Sequence, residues 1–182
     1  MKNVDKKDTV LIVDDDNFML DMYVVKFKER GFDIDANNDP IVALEKLRNG
    51  LNPIAILFDI IMPNMEGIEF IKAIREEKLA KDAVLVAVTN QSEESYVEQA
   101  KEYEVDDYII KANTIPSEVL NRVEEIIEKD EMRAFQSPVR GEEIMKECGL
   151  KPGPTVGKIK TALEEAILDG KIPNEYEAAK KL

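Results

Sequence analysis

The stretch LIVDDDNFML, residues 11–20, carries the apolar run begun at Val10 straight into Asp14, Asp15 and Asp16. A short run rich in Ile, Leu and Val reads as a buried strand, and three adjacent like charges repel one another at its end. The charge therefore needs a partner at that place: a cation, or a chemistry that uses concentrated carboxylates.

Working outward, the same kind of run recurs. Strands are predicted over 9–13, 32–36, 54–58, 84–88 and 108–110, each short and rich in branched apolar residues. Helical periods fall between and after them, over 16–30, 40–49, 68–77, 93–103 and 116–131. Asp39-Pro40 opens one helix and Gly50 closes it, and Gly31 closes the first. Such punctuation suits a capping side chain and a pre-set φ at the start, and a left-handed residue at the end. Five strand–helix repeats predict an α/β fold, a five-stranded doubly wound parallel sheet covered by helices on both faces. Ligands of such sheets bind beyond the carboxyl ends of the strands. Asp14 and Asp15 (first strand), Asp59 (third), Thr89 (fourth) and Lys111 (fifth) all belong to that edge.

Composition narrows the chemistry. The 182 residues contain no histidine and one cysteine, Cys148, which excludes imidazole catalysis, histidine–zinc sites and a disulfide framework. There is no apolar run of membrane-spanning length and no signal-peptide pattern at the start, so the expected location is cytoplasmic, without membrane contact. The net charge of −13 lies entirely in residues 1–136, while 137–182 are neutral. Such an acidic body is repelled by phosphate backbones. Carboxylates beside a hydroxyl and an ammonium suit a hard divalent cation and a phosphoryl group, and a carboxylate can itself be the nucleophile.

Taken singly, these residues have plainer readings. Residues 14–16 resemble a solvated helix start, Lys111 a surface charge, Thr89 a turn residue and Tyr108 a core aromatic. Together they place complementary charge at one edge. The motifs VDD at 13–15, FDIIMPNMEG at 58–67, VTN at 88–90 and YIIK at 108–111 stand 44, 30 and 52 residues apart when measured from Asp15 to Asp59, Asp59 to Thr89 and Asp59 to Lys111. In motifs and spacing, residues 8–130 resemble the flavodoxin-like receiver domain of two-component response regulators. The resemblance implies a signalling phosphoacceptor rather than a metabolic enzyme, with Asp59 phosphorylated in the presence of Mg²⁺. Asp15 would bind the ion directly, Asp14 through water, and the Ile61 carbonyl would add a ligand. Lys111 would pair with the phosphoryl oxygens, Thr89 would hydrogen-bond one of them, and Thr89 with Tyr108 would form the switch. Asp16 has no matching role and is expected to start the first helix. The partner implied is a sensor histidine kinase or a phosphotransfer protein. Where the family usually has proline after the lysine, Ala112 stands here, so a trans link and a differently shaped loop are expected. By the same resemblance the positions two beyond Asp59 and two beyond Thr89, here Ile61 and Gln91, would flank the path of the hydrolytic water, and an apolar Ile61 implies a long-lived phosphoryl state.

The organisation expected is a receiver over 1–131, a linker over 132–140 marked by Ser137-Pro138, and a small all-helical module over 141–182. Helices are predicted at 141–148 and 154–169, the second with Val156, Ile159, Leu163, Ala166 and Ile167 on one face. Asn174 and Glu177 make a capping-box-like start for a third. A unit of this size is marginal by itself, so its stripe is expected to need cover from the receiver, a second copy or a partner. The tail, through GLKPGPTVGKI and EEAILDGKI, resembles the C-terminal helical segment of the tRNA nucleotidyltransferase and poly(A) polymerase family. Two outputs stay open: association, including a homodimer, or RNA binding through Lys151, Lys158 and Lys160 near a helix start. DNA is not an expected partner, because no winged-helix pattern follows the receiver.

Overall fold

The computed structural model describes residues 8–134, 139–168 and 171–173. Along the chain run β1 (Thr9–Val13), α1 (Asn17–Glu29), β2 (Asp33–Asn37), α2 (Pro40–Arg48), β3 (Ala55–Phe58), α3 (Gly67–Glu76), β4 (Val84–Thr89), α4 (Glu94–Glu102), β5 (Asp107–Ile110), α5 (Pro116–Ala134), α6 (Gly141–Cys148) and α7 (Pro154–Leu168). Every strand pairing is parallel, in the order β2-β1-β3-β4-β5. Parallel strands need crossovers, and the helices between them bury both faces of the sheet. Alternate strand residues divide accordingly. Leu11, Val13, Ile56, Phe58, Leu85 and Ala87 pack with α2, α3 and α4 residues such as Leu44, Phe70, Ile74 and Ala100. Val10, Ile12, Leu57, Val86 and Val88 pack with Leu20, Tyr23 and Phe27 of α1 and Val119, Leu120 and Val123 of α5. β3 is apolar throughout, and β1 and β4 are apolar apart from Thr9 and Thr89 at their ends, because neither face of the central strands meets water.

Helix ends follow the local chemistry read from the sequence. The Asp16 carboxylate accepts the N–H groups of Phe18 and Met19 at 2.9 and 3.2 Å, so the third aspartate is the cap of α1. Asp39 accepts the Ile41 N–H at 2.9 Å before Pro40 opens α2. Gly31 and Gly50 take φ of 101° and 98° after their helices. After β5 the chain makes a 3₁₀ turn at Lys111–Asn113, and no cis peptide bond occurs among the described residues, so the Lys111–Ala112 link is trans as expected.

The chain divides into two compact units, Lys6–Arg133 with the sheet and a helical one carrying α6 and α7. Helix α5 continues to Ala134, three residues into the segment expected as linker, while Ser137 and Pro138 lie outside the described residues, as do Asn174 and Glu177. In the helical unit Gly149 ends α6 with φ 63°, and the Leu150 N–H returns to the Met145 carbonyl at 2.9 Å. One expectation is corrected here. The stripe on α7 is covered within the unit itself: Val156 and Leu163 cluster with Val139 and Ile144, with Met145, Leu150, Ile159 and Ile172 against them. Short as it is, the unit closes its own small core.

Candidate phosphoacceptor site

The site forms where β1 and β3, adjacent in the sheet, end together. The Asp14 N–H donates to the Asn37 carbonyl at 3.1 Å and the Asp59 N–H to the Val13 carbonyl at 3.0 Å. These two bonds extend the parallel ladders by one residue, which sets both aspartates at the same level of the sheet edge. Asp14 is 3% exposed and Asp59 8%, whereas Asp15 lies open to solvent. Each buried carboxylate keeps one oxygen for its own loop: Asp14 Oδ1 accepts the Asp16 N–H at 3.0 Å, and Asp59 Oδ1 the Ile61 N–H at 3.2 Å. The other oxygen of each meets Lys111, whose Nζ lies 2.5 Å from Asp59 Oδ2 and 2.6 Å from Asp14 Oδ2. Asp14, Asp15 and Asp59 can bring carboxylate oxygens within 4.8 Å of one another. A hard, oxygen-only donor set of this size suits Mg²⁺.

Burial sets the electrostatics. Desolvation raises the Asp14 carboxyl above its ordinary range and outweighs the hydrogen bond and charge of Lys111. Burial pulls Lys111 down, but its bonds to both carboxylates prevail and its ammonium is held above the ordinary value. At neutral pH the centre therefore contains one firmly charged cation shared by two buried acids.

A second connection lies behind this centre. Thr89, fully buried, accepts the Gln91 N–H on Oγ1 at 3.3 Å, and the half-buried Tyr108 hydroxyl donates to the Gln91 carbonyl at 2.9 Å. Burial, then the charge of Asp59, then Tyr96 push the Tyr108 phenol up to about 12. The backbone of Gln91 thus joins the two residues assigned to the switch. From the sequence Gln91 was notable only for its side chain, and nothing in a residue type marks a backbone amide that bonds on both sides. Gly67 was likewise quoted without a role. A Cβ there would stand 2.1 Å from the Asp59 carbonyl oxygen, and the Gly67 N–H donates to the Ile60 carbonyl at 2.7 Å. Its lack of a side chain lets α3 begin directly against the loop that carries Asp59.

Ile61 presents its amide to Asp59 and leaves its side chain 40% exposed. Lys151, Lys158 and Lys160 are exposed on the helical unit, and Lys160 lies 3.6 Å from Glu164. Lys158 and Lys160, two residues apart on α7, do not share a helix face.

A parallel sheet in this order with an acid–lysine centre at its carboxyl edge defines a receiver-type α/β domain, and comparison with known proteins agrees. The family model for the response regulator receiver domain matches residues 10–124. The chain belongs to the response regulator receiver family of two-component signalling proteins. It is 31% identical over 167 residues to the phosphate regulon transcriptional regulatory protein PhoB of Shigella flexneri, covering 92% of this chain and 68% of that one. It is 29% identical over 135 residues to the alkaline phosphatase synthesis transcriptional regulatory protein PhoP of Bacillus subtilis, covering 74% and 55%. A CheY-like receiver domain from Methanospirillum hungatei superimposes with a TM-score of 0.64 at 26% identity, over 70% of this chain and 99% of that one. A model described as tRNA nucleotidyltransferase domain 2 matches residues 108–181, less than half the chain. The regulators and receivers named above lend the RNA-binding reading of Lys151, Lys158 and Lys160 no support. Among the described residues no helix is long and apolar enough to cross a membrane.

Proposed function

We propose that Asp59 accepts a phosphoryl group from the phosphohistidine of a sensor kinase or phosphotransfer protein. What supports the reading above all is the convergence of three carboxylates within 4.8 Å of one another, two of them shared by a lysine 2.5 Å from Asp59. A carboxylate oxygen of Asp59 attacks phosphorus, the P–N bond breaks, its electron pair stays on the imidazole nitrogen, and a mixed anhydride forms. Asp14, Asp15, Asp59 and the Ile61 carbonyl would hold Mg²⁺, which when bound offsets charge on the transferring oxygens. Lys111 orients Asp59 in the free protein and pairs with the phosphoryl oxygens in the product. Thr89 then turns toward the phosphoryl group, and through Gln91 the change reaches Tyr108 and the surface of α4, β5 and α5. The apolar Ile61 neither activates nor orients a hydrolytic water, so the phosphoryl group persists. DNA contact is opposed by the charge of −13. The test is intact-mass measurement after incubation with a small phosphodonor and Mg²⁺. One phosphate is gained by the parent and none by Asp59→Asn or after chelation; equal labelling of that variant refutes the assignment.

A further inference from the structure

The two ends of α4 are held unequally. At the amino end Glu93 caps the helix without a side-chain bond, the Val97 N–H reaches the Glu93 carbonyl only at 3.4 Å, and residues 92–95 are exposed. Ala100, near the other end, is the buried residue of the helix. Beyond it the chain is fastened repeatedly. Glu104 takes φ 53° and donates its N–H to the Lys101 carbonyl at 3.0 Å, and the Val105 N–H returns to the Ala100 carbonyl at 3.1 Å. Asp106 then exchanges two bonds with Leu85 of β4, its N–H donating to the Leu85 carbonyl and its Oδ2 accepting the Leu85 N–H, each at 2.8 Å.

Arg75, at the end of α3, adds a clamp to this turn. Its Nε donates to the Tyr103 carbonyl at 3.0 Å and its Nη2 to the Glu104 carbonyl at 2.8 Å. A planar guanidinium can hold two neighbouring carbonyls at once, and a helix end leaves such acceptors open. A cation there also complements the dipole of α4. α3 is itself fixed: Gly67 at its start lies against the Asp59 carbonyl, and Phe70, Ile71 and Ile74 are buried. The foot of α4 is therefore tied, through α3, to the loop that carries Asp59. Its head follows the Gln91 backbone, which Thr89 and Tyr108 share.

We propose that Arg75 is a positioning residue of the switch: it fixes the carboxyl end of α4, so that a shift at Gln91 tilts the helix about Tyr103 and Glu104 instead of displacing it as a whole. The inference rests on the reading of Asp59 as phosphoacceptor. A helix of this length spans roughly 13 Å, so with one end fixed a displacement at Gln91 fades along α4 and is largest over its first two turns. Bistable motion of this kind needs a stationary point, and the Arg75 clamp supplies it.

Amide hydrogen exchange of the full chain, with and without beryllofluoride and Mg²⁺, tests this, binding of the phosphoryl analogue being followed by fluorine resonance. In the parent, exchange over 91–98 responds to the analogue and exchange over 103–106 does not. Arg75→Met keeps an apolar stem and removes both donors. Exchange over 103–106 then rises about fivefold, the worth of one net hydrogen bond, and becomes dependent on the analogue. A brace with no part in the switch would raise exchange there equally in both states, and that result overturns the inference. A parent that binds the analogue and responds as strongly over 103–106 as over 91–98 also overturns it, whether or not the variant folds, and leaves the phosphoacceptor reading intact. A parent that fails to bind beryllofluoride overturns that reading and the inference with it.

Discussion

Gly67→Ala isolates a purely steric requirement of the site. The added methyl carbon would lie 2.1 Å from the Asp59 carbonyl oxygen, 2.8 Å from Ile60 Cα and 3.0 Å from the Asp59 carbonyl carbon. All three are backbone atoms, so no side chain can swing away, and the closest contact falls roughly 1 Å inside what a packed interior tolerates. The loop or the start of α3 must move by about that amount. Overpacking of this kind costs about 1–3 kcal/mol, and stretching the Gly67 N–H to Ile60 carbonyl bond adds about 1 kcal/mol. Helix propensity works in the other direction, since alanine is favoured over glycine by up to about 1 kcal/mol inside a helix, and less at its first residue. The net expectation is a loss of about 2 kcal/mol or more in the sheet unit and a melting temperature lower by several degrees, on the order of 5–10 °C. The carboxylate shifts with its backbone, and a 1 Å misplacement of a reacting group can cost about 100-fold in rate. Thermal melting and the rate of phosphate uptake by intact mass read the two effects separately. A variant that melts within about 1 °C of the parent and labels at the parent rate refutes the close-packing account.

Asp14→Asn should stabilise the fold while impairing phosphorylation. Because folding raises this carboxyl above its ordinary value, chiefly through burial, its ionised form costs stability at neutral pH; the variant gains stability there, and the gain vanishes below the unfolded value of 3.8. Melting curves across pH check the sign, and a destabilised variant at pH 7 contradicts it. Thr89→Ala should still take up phosphate but lose the change in amide exchange over residues 90–120, because the bond to the Gln91 N–H is gone; an unchanged response places the switch elsewhere. Leu163→Asp puts a carboxylate into the small core of the helical unit, at a cost above about 3 kcal/mol, and should abolish exchange protection in α6 and α7 while the sheet unit keeps its melting. Glutamine at positions 151, 158 and 160 should leave both units unchanged.

The sequence by itself determined the order of elements and the chemistry at the sheet's edge. Apolar runs with no alternation demand a sheet buried on both faces, and Asp16, Asp39, Gly31 and Gly50 act through their immediate backbone neighbours, so they are legible from residue types alone. The five strands emerge within a residue or so of where periodicity places them, and α1, α2, α6 and α7 agree with equal closeness. Asp14, Asp59 and Lys111 were assignable to one edge because each follows directly on a strand. Tertiary structure decided the rest. Which strand lies beside which brings Asp14 next to Asp59, and the reach of Lys111 past β4 makes it a shared cation. The contact of Gly67 with Asp59, the two bonds of the Gln91 backbone and the enclosure of Tyr23 join residues whose separation along the chain carries no signal of nearness. The cover over the α7 stripe also came from the fold, since periodicity shows that a face must be buried but leaves open what buries it. Local preferences are written in residue types, whereas contacts across the sheet depend on three-dimensional packing that residue types constrain only collectively.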